Sequence, residues 1–370
     1  MIMKKCWTVV AVFILTLAVS GSALGHHELD GKYVTLVTDD GKVICRTAHE
    51  VVVGDRYLDS SDQLYEVYRI RGDKALCKLV KERNKALSGV ISFLNSVWNG
   101  SLFRAETQKK GPVGIYHTHS DESYAPTDGA SSHRGNGGIF KVGEALRQAF
   151  EKEGIKAIQL KTAHDPHDAM AYDRSRRTAA QLLKEGPSVL LDVHRDAVPR
   201  EEYATEINGQ GVTKVQLVVG RENPNFDACN QFAKQIKKVV DQKHPGFIKG
   251  IFYGKGKYNQ DLTPRMLLVE FGTNTNSRES AERAAQIFAA SAKDAIYGGA
   301  GGGIGSRGSW RSLFWIIAAV VGGVGLFILI NRGSLKDIGK EFTGALGNEI
   351  PEELTKDYQE KDDTPGGDQG

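Results

Sequence analysis

Four cysteines, Cys6, Cys45, Cys77 and Cys229, are all that the 370 residues contain, and no two of them stand as Cys-x-x-Cys. That spacing excludes a zinc ribbon and a thioredoxin-like redox site. An excess of charge is also missing: 48 basic residues against 45 acidic ones leave +3, so composition alone carries no signature of nucleic-acid binding. A phosphate loop is absent, because Gly254 to Gly256 lacks the downstream Gly-Lys-Ser/Thr and the following helix that such a loop needs. No serine or cysteine has a suitable base as partner, and Cys229 lies in a helical pattern without one. Long uncharged apolar runs are confined to two places, one near each end of the chain.

The first run, Trp7 to Val19, follows Lys4 and Lys5 and precedes small residues up to Gly25. This is the pattern of a signal peptide over residues 1–25, with an uncleaved anchor as the alternative. The second, Ser312 to Asn331, has no charge between its first and last residues. Twenty helical residues cover about 30 Å, the thickness of the hydrocarbon layer, so a transmembrane helix is expected over 312–331. These segments predict a single-pass protein of the cell membrane with residues 26 to 311 outside. A Gly-rich linker (298–311) would precede the span, and an acidic cytoplasmic tail (332–370) would follow it.

Between the two runs the rhythm changes once. Residues 26–81 read as a small β domain of short strands (Tyr33 to Thr38, Val43 to Thr47, Glu50 to Val53, Leu64 to Arg71, Ala75 to Lys81) separated by tight turns, and residues 82–110 as a connector. From 111 to 297 apolar runs of strand length alternate with amphipathic helical patterns, among them Gly138 to Lys152, Asp173 to Lys184, Phe226 to Asp241 and Ser280 to Ile296. That alternation predicts an α/β sheet with helices on both faces, whose reacting groups gather at the carboxyl ends of strands.

The residues able to carry chemistry fall at such ends. His119 follows the strand Val113 to Tyr116, His194 follows Val189 to Val193, and Glu270 closes Met266 to Phe271. Two imidazoles and a carboxylate make a catalytic zinc site with a fourth position left for water, and a further carboxylate beside that water acts as general base. Glu122, three residues after His119, can converge with it on one ion if the backbone turns; ordinary hydrogen-bonded histidines are the competing explanation. His117 alternates with His119 and points the other way, into packing. His164, Asp165, His167 and Asp168 read as a polar loop rather than a second metal site, Arg195 and Asp196 as substrate or imidazole partners, and Tyr124 as an exposed turn residue that stacks on a sugar or covers the sheet edge.

The segments GIYHTHSDESYAP (114–126), DVHRDA (192–197) and LVEFGTNTN (268–276) resemble the stage II sporulation protein P (SpoIIP) family of peptidoglycan amidases. The resemblance implies a zinc amidase-like α/β fold over 111–297 and hydrolysis of the N-acetylmuramoyl-L-alanine amide bond. It further implies His119 and His194 as metal ligands, Glu270 as the catalytic carboxylate, peptidoglycan as substrate, and a companion lytic transglycosylase or septal protein in sporulation. The remaining ligand is open between Glu122, which is close to His119, and His133. The same ligands would also suit a membrane-tethered zinc peptidase acting on stem peptides, and an inactive wall-binding scaffold would retain the fold alone.

Overall fold

A computed structural model of the chain describes Leu29, residues 31–80 and residues 110–297, all of which fall in one compact unit. The first segment forms β1 (Val34–Thr38), β2 (Val43–Thr47), β3 (Arg56–Asp59), β4 (Leu64–Arg71) and β5 (Lys74–Leu79). In β4, Tyr65 and Val67 are buried while Glu66 and Tyr68 are half-buried, the period of two that a sheet with one covered face requires. The strand expected over Glu50 to Val53 is displaced to β3. Gly54 turns the chain with φ +90°, and the buried Asp55 accepts a hydrogen bond from the Val52 amide at 2.8 Å, so these residues are spent on a turn.

The second segment runs β6 (Val113–Tyr116), α1 (Ala125–Asp128), α2 (Ile139–Lys152), β7 (Ala157–Gln159), α3 (Ala171–Leu183), β8 (Val189–Asp196), β9 (Ala204–Ile207), β10 (Gln210–Thr213), β11 (Val215–Gly220), α4 (Phe226–Lys243), β12 (Ile248–Gly254), β13 (Met266–Thr273) and α5 (Arg278–Tyr297). The expected strand Val212 to Val219 is divided at Lys214, whose amide donates to the Tyr203 carbonyl at 2.6 Å. Before that point β10 pairs with β9 as a separate two-stranded ribbon, and after it β11 enters the main sheet.

The main sheet has eleven strands in the order β2-β1-β5-β4-β3-β12-β11-β13-β8-β6-β7. This corrects the expectation of a separate small β domain, because β3 pairs antiparallel with β12 and the N-terminal strands continue the sheet. An isolated five-stranded sheet would leave the edge of β3 open for other chains; here β12 covers it. The sequence of β12, IKGIFYG, carries two glycines that interrupt its apolar run. Gly250 has a reason to be there: a Cβ at that position would lie 2.3 Å from the Tyr57 hydroxyl, which donates to the Lys249 carbonyl at 3.0 Å. Glycine permits the close approach that joins the two halves of the sheet.

The helices lie on both faces, as expected. Val189, Leu191, Val193, Leu267, Val269 and Phe271 face the apolar sides of α2, α4 and α5, and Leu190 and Met266 face Ala179 and Leu182 of α3. β13, β8 and β6 are neighbours and parallel, so their carboxyl ends open at one place. Alternation then puts Asp192, His194 and Glu270 on the α3 face, just beyond its apolar residues.

A second correction concerns the membrane. Among the described residues no helix is long and apolar enough to cross a bilayer. The longest, α5, carries Arg278, Glu279, Glu282, Arg283, Lys293 and Asp294 along its twenty residues, charges that a hydrocarbon layer would not accept. The proposed signal (1–25), linker (298–311), span (312–331) and tail (332–370), and all but the last residue of the connector (82–110), lie outside the described residues. Among the described residues, then, no element supports the transmembrane helix, the single-pass location or the cell membrane as partner.

Candidate metal centre and its neighbouring carboxylate

The turn after β6 brings His119 and Glu122 to one point. Within it, Ser120, Asp121 and Glu122 are clamped through their carbonyls, which accept hydrogen bonds from the amides of Gly137, His133 and Ile139 at 2.9, 2.7 and 3.0 Å. A Cβ on Gly137 would lie 2.3 Å from the Glu122 carbonyl oxygen, so only glycine lets this clamp close. The result is a fully buried glutamate between two imidazoles. Glu122 Oε1 lies 3.0 Å from His194 Nδ1 and 3.3 Å from His119 Nδ1, and Oε2 accepts the Arg195 amide at 2.8 Å. The rings of His119 and His194 meet edge to face with centroids 5.1 Å apart.

Burial opposes charge on Glu122, but the charges of His194 and Arg195 and the hydrogen bonds from both histidines outweigh it and hold the carboxyl well below its usual range. For His194 burial opposes protonation, and the carboxylates of Asp192 and Glu122 more than reverse that effect. Burial, reinforced by His167, depresses His119. Thus one acid is kept ionised among ring nitrogens, the electrostatic setting that a cation would also find favourable.

His119, Glu122 and His194 each offer a ligand atom within 4.8 Å of the others, so these three residues form a group competent to hold a divalent metal. The donor set fits such an ion, and two observations add to the fit. Among the described residues, the Nε2 atoms of His119 and His194 are buried without a hydrogen-bond partner, a costly condition for a polar atom. His194 Nε2 does lie 3.0 Å from Asp192 Oδ1, but without hydrogen-bond alignment. His133 is not brought to the group: it is exposed and its Nε2 contacts the Asp128 carbonyl at 2.9 Å.

Glu270 stands beside this group, in register with His194 across the β13–β8 pair. Its Oε2 accepts from the Tyr203 hydroxyl at 2.9 Å and the Gln216 amide at 2.6 Å, and its Oε1 is 2.8 Å from His49 Nε2. Tyr203 also reaches Asp196 Oδ2 at 3.0 Å. Burial, followed by the charge of Glu270, pushes the Asp196 carboxyl up to about 6.

Several neighbours were not anticipated from sequence. Asp192 is anchored by the Thr118 amide and hydroxyl at 2.8 and 2.6 Å; its place two residues before His194 on a strand was the available signal. His167 stacks on His119 with centroids 3.8 Å apart and contacts Asp121 at 2.9 Å, whereas His164 serves packing through the His117 carbonyl and Thr178. His117 does point away, between the Val193 carbonyl and Gln159, and burial pushes its imidazole down to about 4. Tyr124 departs from expectation: it is fully buried and donates to the Phe271 carbonyl at 2.8 Å.

The family model described as "Stage II sporulation protein P (SpoIIP)" matches residues 62–292. The chain belongs to the SpoIIP family. The stage II sporulation protein P of Bacillus subtilis (strain 168) is 34% identical over 202 residues, covering 50% of this chain and 50% of that protein. The chain therefore matches about half the length of its SpoIIP relative. Among solved structures, the N-acetylmuramyl-L-alanine amidase of Mycobacterium smegmatis overlaps with TM-score 0.34 at 14% identity, covering 51% of this chain and 96% of the amidase. An N-acetylmuramoyl-L-alanine amidase from Clostridium difficile 630 gives 0.33 at 14%, with the same coverage. His119, Glu122, His194 and Glu270 all lie inside the span matched to SpoIIP; His49 lies before it.

Proposed function

We propose that the protein is a zinc-dependent hydrolase of peptidoglycan that cuts the amide between N-acetylmuramic acid and L-alanine, with His119, Glu122 and His194 as zinc ligands and Glu270 as general base. The observation that carries this reading is the convergence of the three ligand atoms beside a buried glutamate on the neighbouring strand. Membership in the SpoIIP family supports the substrate class, and extends the proposal to wall remodelling in sporulation with a lytic transglycosylase or septal protein as companion.

When bound, zinc would polarise the scissile carbonyl and acidify a water. The chain's own residues supply the rest. Glu122, held ionised, offsets part of the cation's charge, and Asp192 lies against the His194 ring that would face the ion. Glu270 accepts the proton of the attacking water at Oε1, the oxygen with the single donor, and returns it to the departing L-alanine amine. Tyr203 and Gln216 hold Oε2 so that the carboxylate does not turn away.

The test is digestion of purified peptidoglycan by the zinc-loaded protein, with mass spectrometry of the products. Stem peptides carrying a free L-alanine amine are expected. Cleavage only within the stem would replace the amidase reading with a peptidase, and no cleavage by a folded, zinc-loaded protein would leave a wall-binding scaffold.

A further inference from the structure

The donors that hold Glu270 do not all come from the part of the chain matched to SpoIIP. Three nearly consecutive residues at the end of β2, ahead of that span, dock on three acids of the α/β part. Arg46 pairs with Glu202 at 2.5 Å, the Ala48 amide donates to Asp196 at 2.9 Å, and His49 Nε2 meets Glu270 Oε1 at 2.8 Å. The Lys249 ammonium ties down the same stretch by donating to the Arg46 carbonyl at 2.8 Å. The His49 ring is itself fixed: it stacks on Phe252 with centroids 5.3 Å apart and planes 11° from parallel, meets the edge of Tyr258, and is only 8% exposed.

We infer that His49 is a positioning residue for the general base, supplied to the catalytic site by the N-terminal strands. The inference rests on the reading of Glu270 as that base. An ionised carboxylate only accepts hydrogen bonds and has about four lone-pair sites. Tyr203, Gln216 and His49 fill three of these, two on Oε2 and one on Oε1, which leaves a single site on Oε1 for the water proton. Because the carboxylate offers no donor, the ring nitrogen facing it carries the hydrogen. Without His49, Oε1 loses its only anchor among the described residues and the carboxylate can rotate about its last bond, spreading the base over orientations of which few face the water. Proton transfer depends on such alignment, so the loss falls on kcat while substrate and zinc binding remain.

Four full-length, zinc-loaded proteins decide the matter: wild type, Glu270→Gln, His49→Leu and His49→Gln. Each is measured for zinc stoichiometry, thermal unfolding and initial rates of stem-peptide release from solubilised peptidoglycan. His49→Leu fills the ring's space without a donor, and its kcat is expected to fall about tenfold or more, the scale for loss of a residue that orients a catalytic group, with KM and zinc content within twofold. His49→Gln restores a donor near the position of Nε2 and should recover most of that loss. A folded His49→Leu protein with wild-type kcat overturns the inference, as does a loss that Gln fails to repair although the Gln protein is folded. If His49→Leu does not fold, the Gln protein alone decides: kcat closer to wild type than to Glu270→Gln supports positioning, and kcat as low as Glu270→Gln overturns it. An inactive wild type, or a Glu270→Gln protein as active as wild type, overturns the reading of Glu270 itself, a result distinct from failure at His49.

Discussion

Two buried glutamates, Glu122 in the turn after β6 and Glu270 on β13 in register with His194, have surroundings that differ in kind. Glu122 is enclosed by imidazoles and an arginine that come from residues 119 and 194–195. Glu270 is enclosed by a tyrosine, a glutamine and a histidine from residues 203, 216 and 49. The first setting suits an acid that shares its charge with a cation. The second suits one that must stay oriented yet keep a lone pair open. The first is assembled by a turn and an adjacent strand, whereas the second requires the N-terminal strands, the β9–β10 neighbourhood and β11 to arrive together.

The largest test of this difference is to remove residues 31–80. A piece comprising residues 110–297 keeps His119, Glu122 and His194, but loses β3 from the edge of β12, Leu58 from the core, and His49 from Glu270. No cooperative thermal transition and no turnover are expected, as seen by circular dichroism and peptide release. A stable, fully active piece would show that the N-terminal strands are an accessory.

Glu270→Gln should lower turnover about 10²-fold or more, the scale for a positioned acid-base group, while zinc is retained. Glu122→Ala should do the reverse at the level of binding and abolish stoichiometric zinc retention on dialysis, with His133→Ala retaining its zinc. Equal zinc loss in Glu122→Ala and Glu270→Gln would erase the distinction between the two acids.

Gly250→Ala tests the seam between the two halves of the sheet. Its Cβ would meet Tyr57 at 2.3 Å, and overpacking of this kind costs about 1–3 kcal/mol, which thermal unfolding would register. Near-zero loss would mean that β3 and β12 separate easily.

The smallest effect belongs to the solvent-facing pairs of α2. The hydrogen bond from Arg147 pulls Glu144 down to about 2, so its contribution is present above the unfolded carboxylate value of about 4.3 and is lost as pH falls toward 2. The group is half-buried at the helix surface, and screening limits the effect of Glu144→Gln to about 0.5 kcal/mol at neutral pH. Denaturant unfolding at pH 7 and pH 2 should show the difference between variant and wild type shrinking at the lower pH.

Much of the α/β part was legible in the sequence. The helix from Ile139 to Lys152 announces itself by its apolar spacing, and the strands ending near His119, His194 and Glu270 by short apolar runs. β12 was illegible because its Gly250 answers to a neighbour, Tyr57, that no local pattern names. Tyr124 was misread for a similar reason: a residue before Ala-Pro looks like a turn, yet its hydroxyl finds the Phe271 carbonyl from 147 positions away.

By itself the sequence determined the period of most elements of the α/β part, the presence of two histidines and a glutamate at strand ends, and a spacing that lets Glu122 join His119. These are local properties, set by backbone geometry over a few residues. Only the tertiary structure decided that Glu122 rather than His133 meets His194, that the N-terminal strands extend the main sheet, and that His49 reaches Glu270 across 221 residues of chain. Such contacts depend on strand order and register, and a pattern of period two is the same whichever strand lies beside it.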